Sequence, residues 1–178
     1  PMIIAWNKAD KAEPAELERL AAAVDVPNVP TSAQSELALG KGAQAGALQY
    51  APGTDGFQVT VELNAAQQQG MDYIQSHVLD RFESTGIHRA LEVAVFELLG
   101  LLPVFPVEDD HHLTDKEGRI LPDCHLVPQG TTAEQLAYRV HSDLGDHFIR
   151  GVDCRTKRTI GADHELAAGD VIKIAANA

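Results

Sequence analysis

Two short apolar runs, each ending on a polar cluster and separated by one amphipathic helix, constrain this chain more than any other feature. Ile3-Ile4-Ala5-Trp6 has the unbroken apolar character of a buried strand and stops at Asn7-Lys8-Ala9-Asp10. Leu17, Leu20, Ala21 and Val24 then fall at i, i+3, i+4 and i+7, one stripe of a helix. Pro14 suits its first turn, where a missing N–H costs nothing, and Pro27 stops it. Val29-Pro30 opens a second extended piece that ends at Thr31-Ser32-Ala33. Both polar clusters therefore sit at strand ends, with a single helix between them. This is an α/β pattern.

The remainder of the first hundred residues is helix-rich. Residues 36–48 are predicted helical from their Ala, Leu and Gln content, although Gly40, Gly42 and Gly46 weaken the propensity. Residues 52–56 read as a loop and 57–62 as an extended segment. Met71, Ile74, Val78 and Phe82 share one helical face, and Ile87, Leu91, Ala94, Val95 and Leu98 share another. Ser84-Thr85-Gly86 is the break between these two helices.

From Leu101 the pattern changes. Leu101–Val107 and residues 120–127 read as strands joined by an acidic hairpin, and Thr131 with Glu134 has the spacing of a capping box. The capped helix would bury Ala133, Leu136, Ala137 and Val140. Strands are expected near 148–152, 159–160 and 170–175. This is the ββαββ order of a small β-grasp domain, so the chain is read as residues 1–100 and a second domain, 101–178.

Asn7-Lys8-Ala9-Asp10 resembles the N-K-x-D base-recognition motif of P-loop GTPases, and Thr31-Ser32-Ala33 resembles their S-A loop. The chemistry needs these residue types. A carboxylate at Asp10 can accept from both N1–H and the 2-amino group of guanine, whereas adenine offers neither donor. Asn7 would tie the loop to a neighbouring phosphate-binding turn, the Lys8 stem would cover one base face, and the Ala33 N–H would meet guanine O6 beside Ser32. The competing reading, a polar turn after a strand, explains either cluster alone but not the pair.

No G-x-x-x-x-G-K-[ST] loop is present; Gly40-Lys41-Gly42 lacks its spacing and its hydroxyl. Asp115-Lys116-Glu117-Gly118 matches a D-x-x-G pattern but lies downstream of the base motifs, where hairpin composition explains it better. The expectation is therefore that the phosphate-binding half lies before Pro1. On that reading the chain supplies no catalytic residue, should hydrolyse nothing alone, and any Mg²⁺ would be held by residues outside it.

Leu121-Pro122-Asp123, Gly130-Thr131-Thr132 and the run from Leu136 to Gly145 resemble a TGS domain, as do Asp153 to Arg158 and Gly169 to Ile174. The combination resembles the archaeal branch of the Obg-related, YchF-type GTPases. That resemblance implies the end of a P-loop GTPase fold followed by a β-grasp TGS domain. It also implies a translation-associated protein that takes GTP and contacts the ribosome or RNA. Some relatives depart from N-K-x-D and favour ATP; here Asp10 is intact, which favours GTP. Two alternatives stay open, a non-catalytic TGS-type RNA-binding or regulatory module, and ATP as the nucleotide.

Arg150, Arg155, Lys157 and Arg158 form a basic island that could grip RNA phosphates, and Tyr138 and Arg139 could contact a base. Ordinary solvated surface explains them equally. The net charge of −12 disfavours DNA and anionic membranes as partners. His111-His112 beside Asp109 and Asp110 lacks metal-ligand spacing, so no metal site is expected. Two cysteines thirty residues apart make no disulfide framework, and the chain reads as cytoplasmic.

Overall fold

The computed structural model describes residues 1–177 and divides into two compact units, Pro1–Leu98 and a second from Leu99 onward. In the first unit, β1 (Ile4–Asn7) and β2 (Asn28–Thr31) pair in parallel, with Asn7 opposite Thr31. A parallel pair needs a crossover, and α1 (Pro14–Ala22) provides it, with Pro14 in its first turn. The stripe Leu17, Leu20, Ala21 is only half-buried, and Val24 lies beyond the helix end.

Helix α2 (Ala33–Gln44) begins three residues before its expected start, directly after the Thr31-Ser32 strand end. Gly42 sits inside it because Leu48 packs there: a Cβ would lie 2.5 Å from Leu48 Cδ1. Leu48 belongs to β3 (Leu48–Gln49), a short hairpin with β4 (Gln58–Val59), so the expected strand over 57–62 shrinks to two residues. A continuous helical run follows, α3 (Ala65–Ile74), a π-helical turn (Gln75–Leu79) and α4 (Asp80–Phe82). Asn64 and Gln67 form a capping box at its start. Leu39, Leu48, Ile74, Val78 and Leu79 make the core of this unit, with Met71 and Tyr50 packed against it.

The next helix, α5 (Ile87–Glu92), also passes into a π-helical turn, Val93–Leu98. Within α5 the half-buried side runs from Ile87 to Ala90, three residues on, and continues to Val93. Leu91, expected inside, is exposed, and Val93, outside the expected stripe, is buried.

In the second unit, β5 (Leu101–Val107), β6 (His125–Pro128), β7 (Phe148–Asp153), β8 (Arg158–Ile160) and β9 (Asp170–Ala176) form one sheet. Its order is β6-β5-β9-β7-β8, with β5 and β9 parallel and the other neighbours antiparallel. Helices α6 (Ala133–Val140) and α7 (Ser142–Asp146) connect β6 to β7. Ala133 and Leu136 are buried against Leu102, Val104, Val127 and Ile172, as a β-grasp pattern requires; Ala137 is buried too, while Val140 is exposed. The capping box is Thr132 with Gln135, one residue later than expected. Thr131 is buried and its hydroxyl closes the preceding turn on Pro128 O at 2.7 Å, so it is not free to cap. Among the described residues no helix is long and apolar enough to cross a membrane.

Candidate functional site

The two polar clusters meet at the ends of β1 and β2 because the strands are parallel and in register. Asn7 is the joint. Its side-chain oxygen accepts from the Lys8 N–H at 2.9 Å and from the Ala33 N–H at 3.1 Å. The sequence predicts that Asn7 reaches a phosphate-binding turn and that the Ala33 N–H is free for a base. The carboxamide oxygen binds the two clusters to each other, so the Ala33 N–H is already engaged by Asn7.

Lys8 lies at φ 65°, the left-handed region that a lysine occupies only when its surroundings hold it there. The chain can then tighten into a single 3₁₀ turn, Ala9–Lys11, in which Ala9 is buried and Asp10 faces outward. From α4, Arg81 reaches back to this turn, with Nη2 2.7 Å from Ala12 O and Nη1 3.4 Å from Ala9 O. The guanidinium also lies 4.7 Å over the Phe82 ring, which fixes its plane.

Asp10 and Lys11 form one wall of a cleft of about 460 Å³. Gln34 and Ser35 at the start of α2 and Tyr73 on α3 close the other sides. The Tyr73 hydroxyl donates to Asp10 Oδ2 at 3.0 Å, and its ring stacks on His77 with centroids 4.2 Å apart. The Tyr73 phenol is raised from its ordinary value, first by loss of solvent and then by the hydrogen bond to Asp10 and its charge.

Ser32 is placed differently from the expectation that it lines the base. It is buried, its hydroxyl pairs with Ser35 Oγ at 2.9 Å, and its N–H donates to Thr85 O at 2.8 Å. The Ser84-Thr85-Gly86 segment, which sequence reasoning treats as a helix break, therefore holds the second loop from behind. Glu36 completes that support, accepting from Tyr50 OH at 2.8 Å and from the Thr85 hydroxyl. Loss of solvent, followed by the Glu36 hydrogen bond and charge, pushes the Tyr50 phenol up to about 12.

Comparison with known proteins gives this geometry a context. Residues 5–109 match the family model described as the Obg-like GTPase YGR210-like, G4 motif-containing domain, and residues 111–176 match the TGS domain. The chain belongs to the Obg-like GTPases. A GTP-binding protein of Methanocaldococcus jannaschii is 40% identical over 178 residues, which span 98% of this chain and 44% of that protein. One from Schizosaccharomyces pombe is 35% identical over 153 residues, 79% of this chain and 37% of its own length. The crystal structure of a GTP-binding protein from Pyrococcus horikoshii superposes with a TM-score of 0.76 at 37% identity, covering 99% of this chain and 46% of that one. This Obg-like chain thus spans less than half the length of these relatives. The first family model extends through β5, whose pairing partners β6 and β9 both lie in the second unit.

In the TGS domain the expected contact residues do not converge on one centre. Tyr138 is turned to α7, donating to Asp146 Oδ1 at 3.0 Å. The Asp146 hydrogen bond, ahead of partial burial, raises its phenol. Arg139 is exposed on α6 and Arg150 on β7. Arg155, Lys157 and Arg158 lie at the β7–β8 hairpin, but the Lys157 ammonium is engaged by Asp110 O. Asp153 shapes the tip, accepting from the Arg155 N–H at 2.9 Å and the Thr156 hydroxyl at 2.5 Å. Partial burial pushes its carboxyl up, yet these hydrogen bonds outweigh it and the net shift is downward. Asp109 likewise folds the 109–114 turn, accepting from the His111 and His112 amides and the His112 ring. The Asp115 carboxylate binds Glu117 N, Arg119 N and the Arg119 guanidinium, a hairpin role that accounts for the D-x-x-G pattern.

Proposed function

We propose that the first unit carries the guanine-recognising end of a GTP site, completed in the full-length protein by phosphate-binding elements outside this chain. The observation that carries this reading is the Asn7 bridge, which brings N-K-A-D and T-S-A to one edge with the Asp10 carboxylate at the cleft. Asp10 would accept from N1–H and the 2-amino group of guanine, and the Lys8 stem would cover a base face. Ser32 acts through the loop it anchors. The GTP-binding relatives support guanosine over adenosine nucleotides, and the chemistry of a carboxylate agrees, since adenine leaves it unpaired. The Obg-like assignment supports a parent protein that hydrolyses GTP.

Any Mg²⁺ would be held by residues of the full-length protein outside this chain, together with the nucleotide phosphates. Among the described residues no group of three or more His, Cys, Asp or Glu side chains is disposed to hold a metal.

Exchange of Asp10→Asn in the full-length protein tests the assignment. An amide donor suits the 2-oxo group of xanthine, so the ratio of GDP to XDP affinity should fall about 10- to 100-fold, the size of a lost charge-assisted pair. An unchanged ratio, read with ribose-labelled fluorescent nucleotides, refutes the base role.

For the TGS domain we propose a contact with RNA or the ribosome through the β7–β8 tip. Among the described residues neither the Arg155 nor the Arg158 side chain has an ion-pair partner, so both charges are available to phosphates. The YchF-type placement is supported only by the sequence resemblance.

A further inference from the structure

The helical run over residues 65–82 touches the segment 9–12 three times, through side chains far away in sequence. Arg81 holds the backbone carbonyls of Ala9 and Ala12, and Tyr73 holds the Asp10 carboxylate, 63 residues away. A 3₁₀ turn of three residues cannot orient the half-buried Asp10 carboxylate by itself, because the Asp side chain retains rotation about both its torsions. Tyr73 removes that freedom. Its ring is fixed by the His77 stack, and its hydroxyl donates to one oxygen, which sets the plane of the carboxylate. One lone pair of Oδ2 is used, and the other, with both pairs of Oδ1, remains for a ligand.

We propose that Tyr73 is a positioning residue for base discrimination: by fixing the Asp10 carboxylate it presents both oxygens in plane to a ligand with two adjacent N–H donors. This rests on the reading of Asp10 as the guanine acceptor. Pre-organisation benefits a two-point contact more than a one-point contact, since only the former requires both oxygens to be aligned at once. The consequence is selective. Guanine, with N1–H and a 2-amino group, depends on Tyr73; hypoxanthine, with N1–H alone, depends on it much less.

The experiment compares GDP and IDP, each labelled on the ribose, binding to the full-length protein carrying Tyr73→Phe. Phenylalanine keeps the ring on His77 and removes only the hydroxyl. The expected result is a 3- to 10-fold loss of GDP affinity with IDP affected less than 2-fold, so that the GDP/IDP ratio falls. Equal losses for both nucleotides would make Tyr73 merely structural and overturn the proposal. Tighter GDP binding would also overturn it, because the hydroxyl would then be a competitor for the same oxygen. His77→Ala, which frees the ring but keeps the hydroxyl, should lower the ratio by a smaller factor; an unchanged ratio in Tyr73→Phe refutes the role. Failure here is distinguishable from failure of the base assignment. If Asp10→Asn shifts the protein toward XDP while Tyr73→Phe leaves the GDP/IDP ratio alone, only the Tyr73 inference falls.

Discussion

Gly86 is the residue on which the second loop depends most directly. It lies at φ +77°, and a Cβ built on it would stand 2.0 Å from Pro30 O and 3.2 Å from Thr31 Cα. The obstacle is the backbone of β2, which cannot swing aside as a flexible side chain could. The close approach lets Thr85 O meet the Ser32 N–H at 2.8 Å, and Gly86 O then accepts from Ala90 N to start α5. Gly86→Ala must therefore push β2 and the 84–86 turn apart while straining a left-handed residue. The expected cost is about 3 kcal/mol or more, from an overpacked backbone contact added to a conformation that costs about 1–2 kcal/mol for an L residue. Urea denaturation followed by the fluorescence of Trp6, the single tryptophan, reads it directly. Stability equal to wild type would mean that the turn does not support the loop.

At the level of elements, Glu36 ties α2 to the residue after β3 and to the turn before α5, through Tyr50 and Thr85. The Tyr50 phenol is raised from 10.0 to about 12, so the folded state keeps a proton that the unfolded chain loses above pH 10. The associated stability is complete below pH 10 and disappears as pH rises through 12. Wild type should lose about 1–2 kcal/mol over that window relative to Tyr50→Phe, a discount on two pKa units for partial exposure. Tyr50→Phe itself should cost about 1 kcal/mol at pH 8 through the lost hydrogen bond. Parallel pH curves for the two proteins would exclude Tyr50 as the source. None of this support is visible as a pattern. The strands at Ile4–Asn7 and Asn28–Thr31 follow from short-range apolar runs, and the helix between them from spacing and prolines. The Asn7 bridge, the Glu36 pair and the Tyr73–Asp10 bond join residues 14 to 63 apart, and no local periodicity records such a pairing. Leu91 and Val93 show a different failure. The expected stripe stepped by four from Ile87 to Leu91, whereas the buried side steps by three through Ala90 to Val93, and a 3.6-residue period admits either step.

Across the whole molecule the charge distribution sets how an RNA contact could work. A chain of net charge −12 repels a polyanion at long range, so attraction must come from a local concentration of cations within about 10 Å, the screening length near 0.1 M salt. The β7–β8 tip offers one. Arg155 and Arg158 are exposed there and unpaired among the described residues, whereas Lys157 is engaged by Asp110 O and Lys173 by Asp110 Oδ1 at 2.8 Å. The two free arginines, rather than the full set of bases in the hairpin, should therefore carry the electrostatic part of binding. Each phosphate neutralised on a single strand contributes about 0.7 to the slope of log affinity against log salt, so reversing both arginines to glutamate should flatten that slope by about 1.4 or more. Affinity at low salt should fall at least about 10-fold, while reversal of Lys157, already engaged within the protein, should change the slope by less than either arginine. Ribosome co-sedimentation of the full-length protein between 50 and 300 mM salt, ranges over which such a slope is resolved, provides the measurement. If the double reversal leaves the slope intact, the basic tip is ordinary surface and the TGS domain binds through another face or binds no nucleic acid.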